Sequence, residues 1–347
     1  MKFQNVEIRG DRPPVIVCEL SGNHNRDLER AFRVIDAIKE AGAKVLKLQT
    51  YTADSITLPV STGNFRINDA GSLWNGRTLH SLYEEAHTPA EWHAPIIDYA
   101  RASGLDWFSA VFDVGTVEFL FSLDIPVFKL ASQEIVHLPL VREVALTGKP
   151  IIMSTGMASL SDIDRAVNEF RRFSSAPFAL MKCTSKYPAA PDDVNASTIP
   201  VLRSLFSCEV GFSDHTIGIG SALASVALGA SFVEKHVTLK RSDGGVDDQF
   251  STEPSELKSL VAESRSAWLA TGEVKFGPTE SEMPSLTGRP SIYVCKDVSK
   301  GQVVSSDSIR IVRPSGGLMP SEFEKVLGLT FSRSIRAGEP LDWKDVK

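Results

Sequence analysis

Short apolar runs alternate with amphipathic stretches through the first three quarters of the chain. The runs are Val15 to Leu20, Val45 to Thr50, Trp107 to Ala110, Val127 to Ala131, Ile151 to Ser154, Phe178 to Lys182, Glu209 to Phe212 and Phe232 to Lys235. A strand buried on both faces reads as a nearly continuous apolar run, so these eight segments predict parallel strands. The stretches between them have helical spacing. Leu28, Phe32, Ile35 and Ile38 form one stripe, closed by Ala41-Gly42. Thr88-Pro89-Ala90-Glu91 predicts a capping box with proline at the first helical position, ahead of Trp92, Ile96 and Tyr99 on one side. A further helix is expected near Ser161, and the last carries Leu257, Leu260, Val261 and Trp268 after Pro254. Eight strand–helix units are the pattern of a (β/α)8 TIM barrel, an α/β fold.

Two segments break the rhythm. Tyr51 to Glu85 is a long polar, glycine-containing insertion between the second and third strands, on the side where barrel enzymes keep their active sites, and it reads as a lid or binding element. Residues 273–288 are polar, rich in proline and glycine, and read as a linker, so the barrel is expected over 1–272 and a second domain over 289–347. The second domain repeats itself: Val298, Gly301, Val304 and Ile309 recur at the same spacing as Ile335, Gly338, Leu341 and Val346. Two copies of strand, glycine turn and strand predict a small, mostly β module of about sixty residues.

Composition narrows the functions. The formal charge of −6 over 347 residues, with scattered basic residues, offers no stripe for nucleic acid. No run of about eighteen apolar residues is present, and the N-terminus lacks the apolar core of a signal peptide, so a cytoplasmic location without membrane contact is expected. Cys18, Cys183, Cys208 and Cys295 form no CxxC pair, and no disulfide is expected.

The chemistry collects at strand ends. The seventh and eighth strands deliver Ser213, Asp214, His215 and Glu234, Lys235, His236. Polar residues crowded at a buried strand end are costly unless they act there, and two imidazoles on neighbouring strands can converge on a divalent metal. The plainer alternative is a pair of hydrogen-bonded structural histidines. Strand one ends with Glu19, strand two carries Lys47 and Gln49, strand three Ser109, and strand four Lys129 followed by Ser132 and Glu134. Strand five ends in Ser154-Thr155-Gly156 and strand six runs from Lys182 through Tyr187. Lys47 and Lys129 with hydroxyls between them suit a phosphate or carboxylate. A metal Lewis acid beside two lysines and several carboxylates points to carbon–carbon bond formation between a carbonyl compound and an anionic co-substrate such as phosphoenolpyruvate. Class I aldolase chemistry is the competitor, with Lys182 as Schiff-base lysine, although it leaves the histidines unused.

Several motifs in order resemble the sialic acid synthase family: CELSGNHN at Cys18 to Asn25, VLKLQT at Val45 to Thr50, FKLAS at Phe128 to Ser132, MSTGM at Met153 to Met157, CTSKYP at Cys183 to Pro188, GFSDHT at Gly211 to Thr216 and EKHVTL at Glu234 to Leu239. The resemblance covers nearly the whole chain. It implies a metal-dependent barrel joined to a C-terminal antifreeze-like (SAF) domain, condensing phosphoenolpyruvate with an open-chain acetamido sugar to give a nonulosonic acid and phosphate. ELSGNHN, the loop LWNGRTLHSLYEEAHTP and the CTS form of the sixth motif are most similar to the pseudaminate-forming branch, which uses the 6-deoxy-2,4-diacetamido-altrose type of sugar. By resemblance, His215 and His236 bind Mn2+, with Mg2+ or Co2+ as alternatives. Glu134 stands beside the cationic centre, and Glu19 is the strand-one carboxylate. Lys47, Lys129, Ser132, Ser154, Ser185 and Ser213 hold phosphoenolpyruvate. Gln49, Tyr187, Glu234 and Asp247 face the sugar or its metal-bound water, and Arg313 reaches the other subunit's site in a domain-swapped homodimer.

Some positions depart from the pattern. Ala110 replaces a common hydroxyl residue, His137 a frequent aspartate, and Gly288 and Pro290 stand where an aromatic and an arginine are common. Ser185 in place of asparagine removes one amide, which weakens the case for N-acetylmannosamine. Synthases for N-acetylneuraminate, legionaminate or a spore-coat precursor are the alternatives inside the family. Outside it, an ice- or carbohydrate-binding module on an inactive barrel predicts loss of pocket residues, and these are all present.

Overall fold

Side chains alternate across each apolar run, and that alternation builds the two layers of the barrel. The structure is a computed structural model describing residues 1–347. Strands β1 (Val15–Glu19), β2 (Val45–Thr50), β3 (Asp106–Val111), β4 (Phe128–Leu130), β5 (Ile151–Ser154), β6 (Phe178–Cys183), β7 (Glu209–Ser213) and β8 (Phe232–His236) form a closed parallel barrel. Closure is made by β1 on β8, from Val15 opposite Phe232 to Glu19 opposite His236.

Inward positions low in the barrel (Val17, Val45, Phe108, Val127, Ile152, Met181 and Phe232) pack with Phe3 and Ile8, which plug its N-terminal end. Asp106 holds that plug by accepting the backbone N–H of Asn5 at 2.7 Å and of Val6 at 2.6 Å. Gly211 is required on β7 because a Cβ there would come 2.5 Å from the Phe232 ring. Outward positions such as Leu46, Leu48, Trp107 and Leu180 pack under the helices. Each such side chain, fully buried, contributes about 1.5–3 kcal/mol.

Helix Leu28–Glu40 starts on an Asp27 cap, and helix Leu160–Phe173 on a Ser159–Asp162 capping box. The final barrel helix, Pro254–Thr271, has proline in its first turn and stops at Gly272. The capping box expected at Thr88 does not form. Pro89 is extended at ψ 140°, a short 3-10 turn spans Ala90–Trp92, and the α-helix begins only at His93, without a side-chain cap. His137 has a local role: its Nδ1 accepts the Leu140 N–H at 3.1 Å and caps helix Leu138–Leu146.

The chain divides into two compact units, Met1–Gly272 and Glu273–Lys347. In the second, the polar segment is not structureless, since Glu280–Gly288 forms a 3-10 helix with no buried residue. Strands β9 (Ser291–Val294) and β10 (Ile309–Val312) pair antiparallel. The repeated positions meet: Val298 and Ile335 exchange backbone hydrogen bonds of 2.9 and 3.1 Å. Gly301 and Gly338 both turn the chain at positive φ, 83° and 90°. Val304, Ile309, Leu341 and Val346 close the core around Phe331.

Candidate active site

The inward alternation that fills the barrel floor continues upward into a ring of polar side chains. Two residues above Val17 is Glu19, above Val45 are Lys47 and Gln49, above Val127 is Lys129, and above Ile152 is Ser154; above Phe232 come Glu234 and His236. They line a cavity of about 430 Å³ together with Ser132, Glu134, Tyr187, Ser213, His215 and Asp247.

The β1–β2–β8 side is an ion-pair cluster. Lys47 Nζ lies 3.0 Å from Glu19 Oε2 and 2.9 Å from Glu234 Oε1. Glu19 also accepts from Gln49 Nε2 at 2.6 Å and sits 3.1 Å from His236 Nε2. Burial opposes the charge on Glu19, Lys47 and His236, but their partners outweigh it. Glu19 is held well below the usual carboxylate range by His236 and Lys47, and Lys47 is pushed above its ordinary value by Glu19 and Glu234. His236, likewise buried, is pushed up to about 10 by Glu19 and Asp247. Its Nδ1 is 3.5 Å from Asp247 Oδ2, an electrostatic approach too long for a good hydrogen bond, and that nitrogen has no hydrogen-bond partner.

The β4–β5 side is different. Lys129 Nζ donates to Ser154 Oγ at 2.6 Å, and its nearest carboxylate oxygen, on Glu234, is 4.0 Å away. Burial, with Lys47 nearby, therefore lowers its pKa despite Glu234. Beside it the Gly156 N–H donates to Ser132 Oγ at 3.2 Å. A Cβ at Gly156 would stand 2.4 Å from Ser185 Oγ and 2.6 Å from Ser132 Oγ, so these hydroxyls surround a space that only glycine leaves open. Lys129, Ser132 and Ser154 line the cavity as a cradle of one ammonium and two hydroxyls suited to an anion, while Ser185 and Gly156 border it without lining the cavity. Glu134 reaches into the cavity with a buried, unpartnered Oε2, and burial pushes its pKa up to about 7.

The histidines come together. His215 Nδ1 lies 2.9 Å from the Thr184 carbonyl, which orients the ring so that Nε2 is 3.5 Å from Ser213 Oγ. The rings of His215 and His236 are 5.3 Å apart. No group of three His, Cys, Asp or Glu side chains converges in metal-ligand geometry. The donor set fits a divalent ion held by two imidazoles with water and substrate oxygens in its other positions, and the unpartnered His236 Nδ1 and Glu234 Oε2 agree with a site built for a polar guest.

Several expectations change. Lys182 is on the outward face of β6, donates to its neighbour's carbonyl, Cys183 O, at 2.9 Å and does not line the cavity, so it is not placed as a Schiff-base lysine. Ser109 also points outward, bonded to Thr50 at 2.6 Å. Asp214 and Lys235 pair behind the strands at 3.0 Å. Lys47 is engaged by two carboxylates, so the cradle has one available lysine instead of two. Ala110 faces the cavity with no hydroxyl. Arg313 is exposed at the end of β10, and every cavity-lining residue belongs to the first unit.

Other lining residues escaped the sequence reading. Tyr51 and Cys183 continue the inward alternation of β2 and β6, and that signal was available. Trp74, Leu79 and Tyr83 come from the insertion, where no periodicity points inward. Trp74 Nε1 donates to Val246 O at 2.9 Å, tying the insertion to the loop after β8, and Lys186 pairs with Asp69 at 3.3 Å.

Comparison with known proteins follows the same lines. A model described as NeuB family matches residues 34–276, and one described as SAF domain matches 289–347. A pseudaminic acid synthase of Helicobacter pylori is 39% identical over 338 residues, covering 97% of this chain and 98% of that protein. An N,N'-diacetyllegionaminic acid synthase of Legionella pneumophila is 32% identical, covering 100% and 98%. The crystal structure of N-acetylneuraminic acid (sialic acid) synthetase from Leptospira borgpetersenii, in complex with citrate, has a TM-score of 0.74 at 30% identity, over 82% of this chain and 94% of that chain.

Proposed function

The chain belongs to the NeuB family, and on that premise we propose that it condenses phosphoenolpyruvate with 2,4-diacetamido-2,4,6-trideoxy-L-altrose to give pseudaminic acid and phosphate. The observation that carries the reading is the division of one cavity into an anion cradle on β4–β5 and a histidine pair on β7–β8. A volume of about 430 Å³ suits two small substrates side by side.

Lys129, Ser132, Ser154 and Ser185 hold the phosphate and carboxylate of phosphoenolpyruvate, with Lys47 and Ser213 at its edge, and the Gly156 N–H fixes Ser132 Oγ. Gln49, Tyr187, Glu234 and Asp247 orient the open-chain sugar. His215 and His236 would hold a divalent ion, Mn2+ in this proposal, and the chemistry it would supply is Lewis-acid polarisation of the aldehyde oxygen. The enol carbon of phosphoenolpyruvate forms a bond to the aldehyde carbon while the C=O pair moves onto the aldehyde oxygen, which gains a proton and becomes a hydroxyl; water adds at the neighbouring carbon and loses both its protons as phosphate leaves and the ketone forms. Glu134 lies beside the cationic centre and, poised near neutrality, takes a proton from that water. Glu19 fixes Lys47, Gln49 and His236 together.

The second unit matches a SAF domain, and Arg313 is proposed to complete the pocket of a second protomer in a domain-swapped homodimer. No helix is long and apolar enough to cross a membrane.

The test is phosphate release from phosphoenolpyruvate with Mn2+ across three sugars: the altrose derivative, its manno-configured legionaminate counterpart and N-acetylmannosamine. Selective release with the first supports the proposal. Preference for another sugar keeps the reaction and changes the product, and no release with any of them overturns it.

A further inference from the structure

The cavity has two chemically distinct walls. Its barrel side carries every charged lining group, from Glu19 to Asp247. Its other wall comes from the Tyr51–Glu85 insertion and is uncharged. Ile56, Ile67, Leu79 and Leu82 face the space there beside the hydroxyl-bearing Ser72 and Tyr83, and the Trp74 N–H is already spent on Val246 O. The wall is fixed in place. Ile67 exchanges backbone hydrogen bonds with Arg77 and Gly76 at 2.9 and 2.7 Å, and Leu79 opens the helix Leu79–Ala86 capped by Thr78.

We infer that this apolar wall, chiefly Ile67 and Leu79, determines specificity by receiving the C6 methyl of a 6-deoxy sugar and rejecting a C6 hydroxyl. The inference rests on the reading of the chain as an acetamido-sugar synthase. With the aldehyde end at His215 and His236 and phosphoenolpyruvate on the Lys129 side, the far end of an open-chain sugar extends toward the insertion. A methyl gains contact there. A hydroxyl set against Ile67 and Leu79 loses its water to side chains that have no hydrogen-bonding atom. An apolar pocket discriminates against an added hydroxyl by roughly 100-fold and not much more.

The experiment measures kcat/KM for 2,4-diacetamido-2,4,6-trideoxy-L-altrose and for its 6-hydroxy analogue, in the full-length protein and in Ile67→Thr and Leu79→Gln. The natural chain is expected to favour the deoxy sugar by roughly 100-fold, and each variant to bring the ratio within about tenfold. Because the readout is a ratio on one variant, partial loss of folded protein or of phosphoenolpyruvate binding cancels. Turnover of both sugars at equal efficiency by the natural chain overturns the inference while leaving the synthase reading intact. An unchanged ratio in both variants, or equal loss on both sugars, also overturns it, since the wall then touches some other part of the sugar. Absence of turnover with either sugar removes the synthase reading and this inference with it.

Discussion

Lys47 and Glu234 stand on β2 and β8, with β1 between them, and their charged atoms are 2.9 Å apart in a site where both side chains are almost wholly buried. Lys129, two strands further round from Lys47, stands 4.0 Å from the Glu234 carboxylate and rests on a serine hydroxyl. The two lysines therefore do different work. Removing one partner of a buried ion cluster costs about 3–5 kcal/mol, because the remaining charges keep their desolvation penalty. Lys47→Met is expected to lower stability by that order in urea unfolding. Lys129→Met is expected to fold nearly as well and to raise the KM for phosphoenolpyruvate by about 10- to 100-fold, the worth of a charge-assisted hydrogen bond. Equal effects of the two substitutions on unfolding would contradict this division.

Glu134 gives the reaction a pH limb. Burial raises its pKa to about 7, so it is protonated below that value and ionised above it. If it takes a proton from water, kcat rises with pH through about 7, and Glu134→Gln loses that limb together with roughly 10²- to 10⁴-fold in rate. Stability runs the other way. A carboxyl whose folded pKa lies above its unfolded value favours the folded state at low pH, and that contribution is lost as pH rises toward 7. Glu134→Gln is thus expected to unfold at higher urea than the natural chain at pH 8, and the difference to shrink at pH 5.

Gly156→Ala tests the cradle without touching a charge. The added methyl would press against Ser185 Oγ and Ser132 Oγ. The KM for phosphoenolpyruvate should rise by about tenfold or more while that for the sugar changes less. The reverse pattern in steady-state kinetics would move the phosphate elsewhere.

His215→Ala and His236→Ala are each expected to abolish metal-dependent turnover and to weaken Mn2+ binding in paramagnetic resonance titrations, with the circular dichroism spectrum kept. A chelator should silence the natural chain and added Mn2+ restore it. Full activity of either variant after removal of free metal would reject the ligand role.

Much of the barrel was legible locally. Eight apolar runs marked the eight strands within a residue or two, because strands buried on both faces leave no room for polar residues along most of their length. Their period of two also decided, in principle, which strand-end residues face inward. Counting by twos from Val17, Val127 and Ile152 reaches Glu19, Lys129 and Ser154, and counting from Ala179 passes Met181 and Cys183 while leaving Lys182 outside. The Thr88 box misled because a cap motif describes only local options, and here the chain stays extended through Pro89.

The sequence by itself determined the barrel, the polar ring at its C-terminal end and the repeat of the small unit, since all three are written in spacings of a few residues. Only the tertiary structure decided that Lys47 is paired with Glu19 and Glu234, that Lys129 stands 4.0 Å from Glu234 and rests on Ser154, and that Ile67 and Leu79 of the insertion face the cavity. Those outcomes depend on distances between side chains far apart in the chain, set by the register with which β1 closes on β8 and by how a loop without periodicity is tied down at Trp74.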